Sequence, residues 1–224
     1  MPEIRLSDRR RQVLAAVADR VPGSRGADCV RVAVDGVDGA GKTVFADQLA
    51  AQLRSGGRPV VRVSEDDFHA VRAVRHRRGR DSPEGFWLDS YDDAALVSRV
   101  LEPLGPGGSR RYRPASHDLV SDRLLDPPVQ EAPPGAVLVL DGLFLHRQAL
   151  VDAWDLSVFL AVPFEVSVPR TAARDGSSPD PGSPSVARYV QGQRLYVAAC
   201  APQERAHLVV DLSDLDAPVL LRGC

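Results

Sequence analysis

The sequence predicts a three-layer α/β/α fold, in which helices cover both faces of a parallel central sheet. Three nearly continuous apolar runs, 136–142, 156–162 and 206–212, are typical of strands that are buried on both faces. Segments with strand character alternate with helical segments along the chain, and this alternation favours parallel strands joined by helical crossovers. Together these observations define the predicted fold class.

The first predicted element is a helix near the N-terminus. Ser7 can cap it, and Val13, Val17 and Val21 recur at every fourth position to give it one apolar face. Pro22 is expected to end it. The pattern predicts a helix that packs against the sheet.

A strand, a glycine-rich turn and a second helix are predicted next. Residues 29–36, CVRVAVDG, read as a strand that runs into glycines. The following helix starts at Lys42 and places Phe45, Leu49 and Leu53 on one face. This order of elements is typical of the first unit of a doubly wound fold.

The remaining segments complete one domain over residues 1–224. Residues 60–64 are predicted to form a strand, and residues 92–104 a helix with its leucines and valine facing inward. The segment 175–185, DGSSPDPGSPS, is of low complexity and is predicted to be a mobile loop.

Composition and charge exclude several classes of protein. The net charge is −2, so nothing in the overall balance indicates a nucleic acid or a membrane as partner. The three cysteines, Cys29, Cys200 and Cys224, are widely spaced, which favours reduced thiols over disulfides or a zinc site. The polar start predicts no signal peptide, and no apolar run approaches the roughly 20 residues that span a bilayer. We expect a cytoplasmic protein.

The chain contains one lysine, and it lies in a motif. Residues 36–43, GVDGAGKT, match G-x-x-x-x-G-K-[ST] between a predicted strand and a predicted helix. In such a loop the backbone N–H groups converge on phosphate oxygens, and a compact ammonium reaches between phosphates better than a planar guanidinium does. The motif predicts a P-loop NTPase that binds ATP through Gly36, Asp38, Gly39, Ala40, Gly41, Lys42 and Thr43.

Carboxylates for a magnesium ion are expected beside this loop. The hydroxyl of Thr43 is the predicted Mg²⁺ ligand within the motif. Asp141 ends one apolar run, and the acidic trio 65–67 ends the strand 60–64. Because parallel strands present ligands at their carboxyl ends, both are candidates for the metal side.

The class of P-loop protein is narrowed by what the sequence lacks. A guanine-reading Asn-Lys-x-Asp motif needs a second lysine, which the chain does not have. Asp141 is followed by glycine, not glutamate, and no Ser-Gly-Gly-Gln signature of transporter ATPases occurs. A small kinase remains.

Five patches across residues 30–212 resemble the uridine kinase family and its bacterial uridine kinase-like members. They are GVDGAGKT, SEDDFH, RRYRPASHD, VLVLDGLFL and VPRTAARD, the last followed by QGQRLYVAACAPQERAHLVVD. The resemblance implies a kinase that uses ATP and Mg²⁺, closed by an arginine lid over about 170–187.

The resemblance also implies roles for individual residues. Asp66 would act as general base or positioning group near the metal, and with Phe68 it would lie in the acceptor site. Tyr112 and His117 would contact a nucleobase. Arg170 and Arg174 would stabilise the transferred charge, for which guanidinium groups are suited.

The chain departs from the family pattern mainly on the acceptor side. Asp141 stands where the family usually has glutamate, and His69 where it has tyrosine. The family's Asp-His-Pro-Asp stretch is not reproduced, so Asp89 and Asp92 are alternative stand-ins for its sugar-binding carboxylate. Pro169 is expected to disturb the helix that enters the lid.

The predicted function is transfer of the γ-phosphoryl group of ATP to a hydroxyl of a small molecule, with a nucleoside such as uridine or cytidine favoured. Two alternatives remain open. One is a P-loop kinase for a phosphosugar, pantothenate or nicotinamide riboside, and the other is a non-catalytic nucleotide-binding regulator. The basic cluster 72–80 suits an exposed acceptor-side segment better than a nucleic-acid patch. Self-association into a homo-oligomer is compatible with the sequence.

Overall fold

The computed structural model describes residues 6–223, so the two ends of the predicted domain 1–224 lie outside the described residues. The helices are α1 Asp8–Ala18, α2 Lys42–Ser55, α3 Arg72–Arg75, α4 Pro83–Asp89, α5 Asp93–Leu96, α6 Phe164–Asp175, α7 Ala187–Cys200 and α8 Pro202–Arg205. Short 3₁₀ turns are Glu65–Phe68 and Val151–Ala153, and Val97–Leu101 is π-helical.

The strands form one central sheet and two small ribbons. The strands are β1 Val30–Gly36, β2 Val60–Ser64, β3 Arg111–Tyr112, β4 His117–Asp118, β5 Arg123–Leu124, β6 Gln130–Glu131, β7 Val137–Gly142, β8 Leu156–Ala161, β9 Leu208–Asp211 and β10 Val219–Gly223. The sheet has the order β10-β9-β8-β1-β7-β2, and β3 pairs with β6 and β4 with β5.

The central sheet is parallel except at one edge. Strands β9, β8, β1, β7 and β2 run parallel, whereas β10 is antiparallel to β9. The predicted parallel sheet is confirmed, and β10 was not predicted. Its residues are mostly exposed, so it lacks the apolar pattern that marks a buried strand.

Helices cover both faces of the sheet, as predicted. On one face α1 and α2 bury their apolar residues, among them Val17 and Leu49, against Val32 of β1. On the other face Leu96 and Val100 pack against Leu138 of β7. The alternation along β1 and β7 sends successive side chains to opposite layers, which is the physical basis of the three-layer fold.

Three predicted helices differ in detail. Helix α1 ends at Ala18, before Pro22. The helix predicted over 92–104 is a short α-helix continued by a π-helical segment, although Leu96, Val100 and Leu104 are all fully buried as expected. The interruption expected at Pro169 is not seen, since helix α6 continues through this residue, which supplies no backbone N–H donor.

Within residues 6–223, no helix is long and apolar enough to cross a membrane.

Candidate functional site

The glycine-rich loop turns sharply between the end of β1 and the start of α2. Gly39 and Gly41 have φ values of 76° and 87°, in the left-handed region where side chains are costly. A Cβ added to Gly39 would lie 2.2 Å from the carbonyl oxygen of Ser167 on α6. The loop can therefore keep this path only with glycine at position 39.

Two contacts from α7 hold the loop in place. The amide N–H of Asp38 donates to Oε1 of Gln193 at 2.6 Å. At the start of the loop, the fully buried carboxylate of Asp35 accepts the N–H of Gly36 and the hydroxyl of Tyr196. The oxygen that accepts the Tyr196 hydroxyl, Oδ2, also contacts Nδ1 of His146 at 2.7 Å. The loop is thus fastened at both its entry and its middle.

Lys42 and Thr43 begin α2 and face the cleft above the loop. The Lys42 ammonium donates to the carbonyl oxygen of Val37 at 3.1 Å. The Thr43 hydroxyl donates to Oδ2 of Asp141 at 2.7 Å. The helix N-terminus, the ammonium and the hydroxyl therefore meet where an anionic phosphate chain is favoured.

Asp141 is held in a cationic environment at the end of β7. Its side chain is 2% exposed, and its Oδ1 accepts a hydrogen bond from Nη2 of Arg62 at 2.8 Å. The same guanidinium also pairs with Asp47 and donates to the carbonyl oxygen of Val139. Both oxygens of Asp141 are consequently engaged, one by Arg62 and the other by Thr43.

Asp66 has a different environment from Asp141. It lies in the 3₁₀ turn after β2, is exposed to the cleft, and accepts a hydrogen bond at 3.2 Å from the hydroxyl of Tyr91. Within the described part of the chain, no arginine or lysine forms an ion pair with it. The site therefore contains one carboxylate tied to a cation and one that contacts a neutral phenol.

The other two members of the acidic trio flank Asp66. Burial raises the pKa of Asp67, and the neighbouring carboxylates of Asp66 and Asp141 raise it further. Glu65 is fully buried, and neither of its carboxyl oxygens has a hydrogen-bond partner. Burial is the main reason that the pKa of Glu65 lies well above its ordinary value.

The two predicted lid arginines extend from α6 over the loop. Arg174 contacts Oδ1 of Asp38 at 3.3 Å, and the same oxygen accepts the N–H of Gly39 at 2.9 Å. Arg170 donates to the carbonyl oxygens of Leu212 and Ser213, at 3.0 and 2.6 Å. The Asp38 carboxylate therefore engages donors that would also suit a phosphate oxygen.

These groups line one cleft of about 490 Å³. The predicted site residues that line it are Asp38, Gly39, Gly41, Lys42, Thr43, Asp66, Asp141, Arg170 and Arg174. Ala40 is fully buried beneath it, and Gly36 ends β1 at its base. Residues of the glycine-rich loop, the carboxylates predicted to face the metal and the lid arginines thus line the same cleft, although they lie far apart in the sequence.

Four predicted acceptor residues do not line the cleft. Phe68 is fully buried in the core, and Tyr112 is 7% exposed with its hydroxyl bonded to Gln130. His117 is buried and contacts Asp122 at 3.1 Å. Asp89 is paired with Arg77 and Arg78 of the basic cluster, and although burial opposes it, these pairs lower the pKa of Asp89. Asp92 instead caps α5.

Three residues that the sequence did not single out contribute to the cleft. Arg62 fixes Asp141, Tyr91 contacts Asp66, and Gln193 holds the loop. Their partners are distant in the chain, so no local motif marks them. One weak signal existed for Arg62, which is a charged residue inside an otherwise apolar strand.

The donors around Thr43 fit a magnesium ion that is shared with phosphates. Within residues 6–223 there is no group of three or more histidine, cysteine, aspartate or glutamate side chains that could enclose a metal by themselves. Mg²⁺ with a nucleotide needs only one or two protein oxygens, since water and phosphates supply the rest. The hydroxyl of Thr43 and the carboxylates of Asp66 and Asp141 are hard oxygen donors of that kind.

Comparison with solved structures shows which proteins have a similar fold. A possible uridine kinase from Bacillus stearothermophilus matches with a TM-score of 0.69 at 20% identity, over 89% of this chain and 97% of the other. A protein provisionally assigned as a fructose transport system kinase from Silicibacter matches with 0.66 at 24% identity, over 84% and 95%. Phosphoribulokinase from Rhodobacter spheroides matches with 0.55 at 14% identity, over 83% and 70%. No family model and no curated protein matches the chain.

The fold and the loop together define the class. The chain has the three-layer fold of the P-loop kinases, and the predicted fold class is confirmed. Within that class it is similar to uridine kinase-like structures along nearly its whole length.

Proposed function

We propose that the protein is a kinase that transfers the γ-phosphoryl group of ATP, with Mg²⁺, to a hydroxyl of a small molecule. One observation carries the proposal. The cleft joins the P-loop lysine to two carboxylates in unlike environments, Asp141 paired with Arg62 and Asp66 free of any cationic partner among the described residues. Carboxylates with unlike surroundings are typical of sites where one serves a metal and the other a proton.

Each side of the cleft has a part in the reaction. The loop N–H groups and Lys42 bind the triphosphate, and Thr43 and Asp141 face the metal. A bound Mg²⁺ would neutralise part of the charge on the phosphates. Asp141 is already engaged by Arg62 and Thr43, so it is placed to act on the ion through water.

Asp66 takes the proton from the acceptor. As the acceptor oxygen forms its bond to the γ-phosphorus, the hydroxyl proton passes to the Asp66 carboxylate. The bond between the γ-phosphorus and its bridging oxygen breaks, and its electrons leave with ADP. Arg170 and Arg174 stabilise the charge on the transferred group once they turn from their present partners.

A nucleoside such as uridine or cytidine is the favoured acceptor. The resemblance across residues 30–212 supports this assignment, as does the fold shared with a possible uridine kinase. Tyr112 and His117 are buried here, so contact with a nucleobase requires the segment 112–125 to open. A single kinase domain with a lid over about 170–187, acting in the cytoplasm, belongs to the same proposal.

A panel of acceptors tests the proposal. ADP formation is measured with nucleosides, sugars, phosphosugars, pantothenate and nicotinamide riboside, for the wild type and for Asp66→Asn. Asp8→Asn is the matched control, since Asp8 is 85% exposed in a surface ion pair with Arg11 on α1. We expect turnover with at least one nucleoside, a loss of about 10²–10⁴-fold in Asp66→Asn, and no loss in the control.

Other results would overturn the proposal at different levels. Full turnover in Asp66→Asn excludes its role as base. Turnover only with a phosphosugar or a vitamin precursor replaces the nucleoside by that acceptor. ATP binding without product from any acceptor identifies a nucleotide-binding regulator.

A further inference from the structure

The carboxylate of Asp66 has one side-chain donor among the described residues, the hydroxyl of Tyr91 at 3.2 Å. Tyr91 lies between α4 and α5. Its side chain is 7% exposed, so the hydroxyl is withdrawn from bulk water while Asp66 faces the cleft. The contact therefore connects a buried donor to an open carboxylate.

Backbone pairing fixes Tyr91 against the segment that carries Asp66. The N–H of Ala70 donates to the carbonyl oxygen of Ser90 at 2.9 Å, and the N–H of Asp92 donates to that of Phe68 at 2.8 Å. These two bonds enclose Tyr91 in a short antiparallel bridge with His69. The distance between the two backbones is thereby set independently of any ligand.

Packing also fixes the direction of the Tyr91 ring. Its centroid lies 4.5 Å from that of His69, and it meets Phe144 edge-on at 6.2 Å. Burial and the carboxylates of Asp66 and Glu65 raise the pKa of Tyr91 well above its ordinary value. Burial therefore favours the neutral phenol, which is the form that donates a hydrogen bond.

We propose that Tyr91 is a positioning residue for Asp66, holding one carboxylate oxygen so that the other faces the acceptor hydroxyl. The inference rests on the proposed function of Asp66 as base. A neutral donor is suited to this task, since it orients the carboxylate without the strong stabilisation that an arginine gives to Asp141. Asp66 is thus held in place and stays able to accept a proton.

Several charged and titratable groups face Asp66 from the elements around it. Those on other elements are Lys42 of α2, Asp141 of β7, Arg170 and Arg174 of α6, Tyr91, and Arg147, which lies beyond Glu65. Those on its own segment are Glu65, Asp67 and His69. Substitution of Tyr91 by phenylalanine leaves the other groups in place and removes the hydroxyl that contacts Asp66. The Asp66 carboxylate then has no side-chain donor among the described residues and can turn away from the acceptor hydroxyl.

The test is carbon-detected NMR at one fixed pH on protein labelled at the aspartate carboxyls, with Asp66→Asn to identify the Asp66 resonance. Tyr91→Phe is compared with Tyr112→Phe, because Tyr112 is also 7% exposed and its hydroxyl bonds to Gln130 instead. We expect Tyr91→Phe to move the Asp66 carboxyl resonance from its wild-type position, because the hydrogen bond from the Tyr91 hydroxyl is lost. No movement of that resonance is expected in Tyr112→Phe.

An identical Asp66 resonance in the wild type and Tyr91→Phe would overturn the inference, as would an equal movement in Tyr112→Phe. With an active acceptor, kcat is expected to fall about tenfold in Tyr91→Phe while the KM for ATP is unchanged, because the base is misplaced and the nucleotide site is intact. A moved resonance in a protein that phosphorylates no acceptor would keep the contact and overturn the kinase assignment instead. The two failures are therefore distinguishable.

Discussion

The hydroxyl of Thr43 donates to Oδ2 of Asp141 at 2.7 Å, which joins the first turn of α2 to the end of β7. The two residues are 98 positions apart in the chain. Because β7 lies beside β1 in the sheet, the strand end that carries Asp141 emerges next to the glycine-rich loop. The metal side of the proposed reaction depends on this relationship.

Substitution of Asp141 by asparagine is expected to weaken divalent-metal binding in the presence of ATP by about 10–100-fold, as for other residues that orient a metal through its ligands. Asp47→Asn is the control, because Asp47 is the other carboxylate partner of Arg62 and is 63% exposed. Mn²⁺ binding measured by electron paramagnetic resonance gives the affinity without turnover. Equal affinities in Asp141→Asn and the wild type would remove Asp141 from the metal side.

Gly39→Ala is expected to abolish ATP binding, and Gly57→Ala is not. Both glycines have left-handed φ values, 76° and 82°, so each alanine carries a backbone cost of about 1–2 kcal/mol. Only at position 39 does the new Cβ collide, 2.2 Å from the carbonyl oxygen of Ser167, whereas nothing lies within 4 Å at position 57. Calorimetric titration with MgATP separates the two. Similar affinities in the two variants would contradict the loop geometry.

Tyr196→Phe is expected to destabilise the protein by about 1.5–3 kcal/mol, the range for a hydrogen bond to a charged group. The phenylalanine would remove one donor from the fully buried carboxylate of Asp35 at the entry to the loop. Tyr189→Phe, in which the tyrosine is 43% exposed on the same helix, provides the comparison. Urea unfolding gives the free energy of unfolding of each variant. An equally small loss in Tyr196→Phe and Tyr189→Phe would show that the contact with Asp35 adds nothing to stability.

Glu65→Gln is expected to make stability less dependent on pH. The pKa of buried Glu65 is raised above its ordinary value of 4.5, so as pH rises past 4.5 the unfolded chain loses a proton that the folded protein keeps. Wild-type stability therefore falls with rising pH by up to about 1.4 kcal/mol per unit until the folded-state pKa is reached. Glutamine does not titrate, so the variant lacks this fall in stability with rising pH. Urea unfolding of both proteins at pH 5 and pH 8 measures the difference in free energy of unfolding.

The outcome that contradicts this expectation is equally specific. Arg147 lies close enough to Glu65 to oppose the effect of burial on its pKa. If the pair were ionised together, Glu65→Gln would leave Arg147 with Asp93 as its remaining partner and would lower stability at pH 8.

The sequence predicted those parts of the site that depend on local pattern or on strand ends. The loop 36–43 is contiguous, and Asp66 and Asp141 each follow an apolar strand, so parallel topology alone brings them together. Arg62 could not be paired in advance, since its partner Asp141 is 79 residues away and the pairing depends on register between β2 and β7. The contact of Tyr91 with Asp66 could not be predicted either, since the two residues are 25 positions apart.

The acceptor side was less predictable. Phe68 and Tyr112 were assigned through resemblance, and a family motif does not show whether a side chain faces the core or a ligand. The central strands were predicted from their hydrophobic runs, although their order in the sheet was not, and the ribbons of two residues per strand carry no periodic signal. The features that could not be predicted from the sequence therefore lie mostly in the short irregular segments around the proposed acceptor site.

The most direct test of the central claim uses the single lysine of the chain. Wild-type protein is treated with a limiting amine-reactive reagent, with and without saturating MgATP, and modification of Lys42 is followed by peptide mass spectrometry against the N-terminal amine as internal reference. If the triphosphate binds in the loop 36–43, MgATP protects Lys42 and leaves the reference unchanged. Equal modification of Lys42 with and without MgATP would contradict the account.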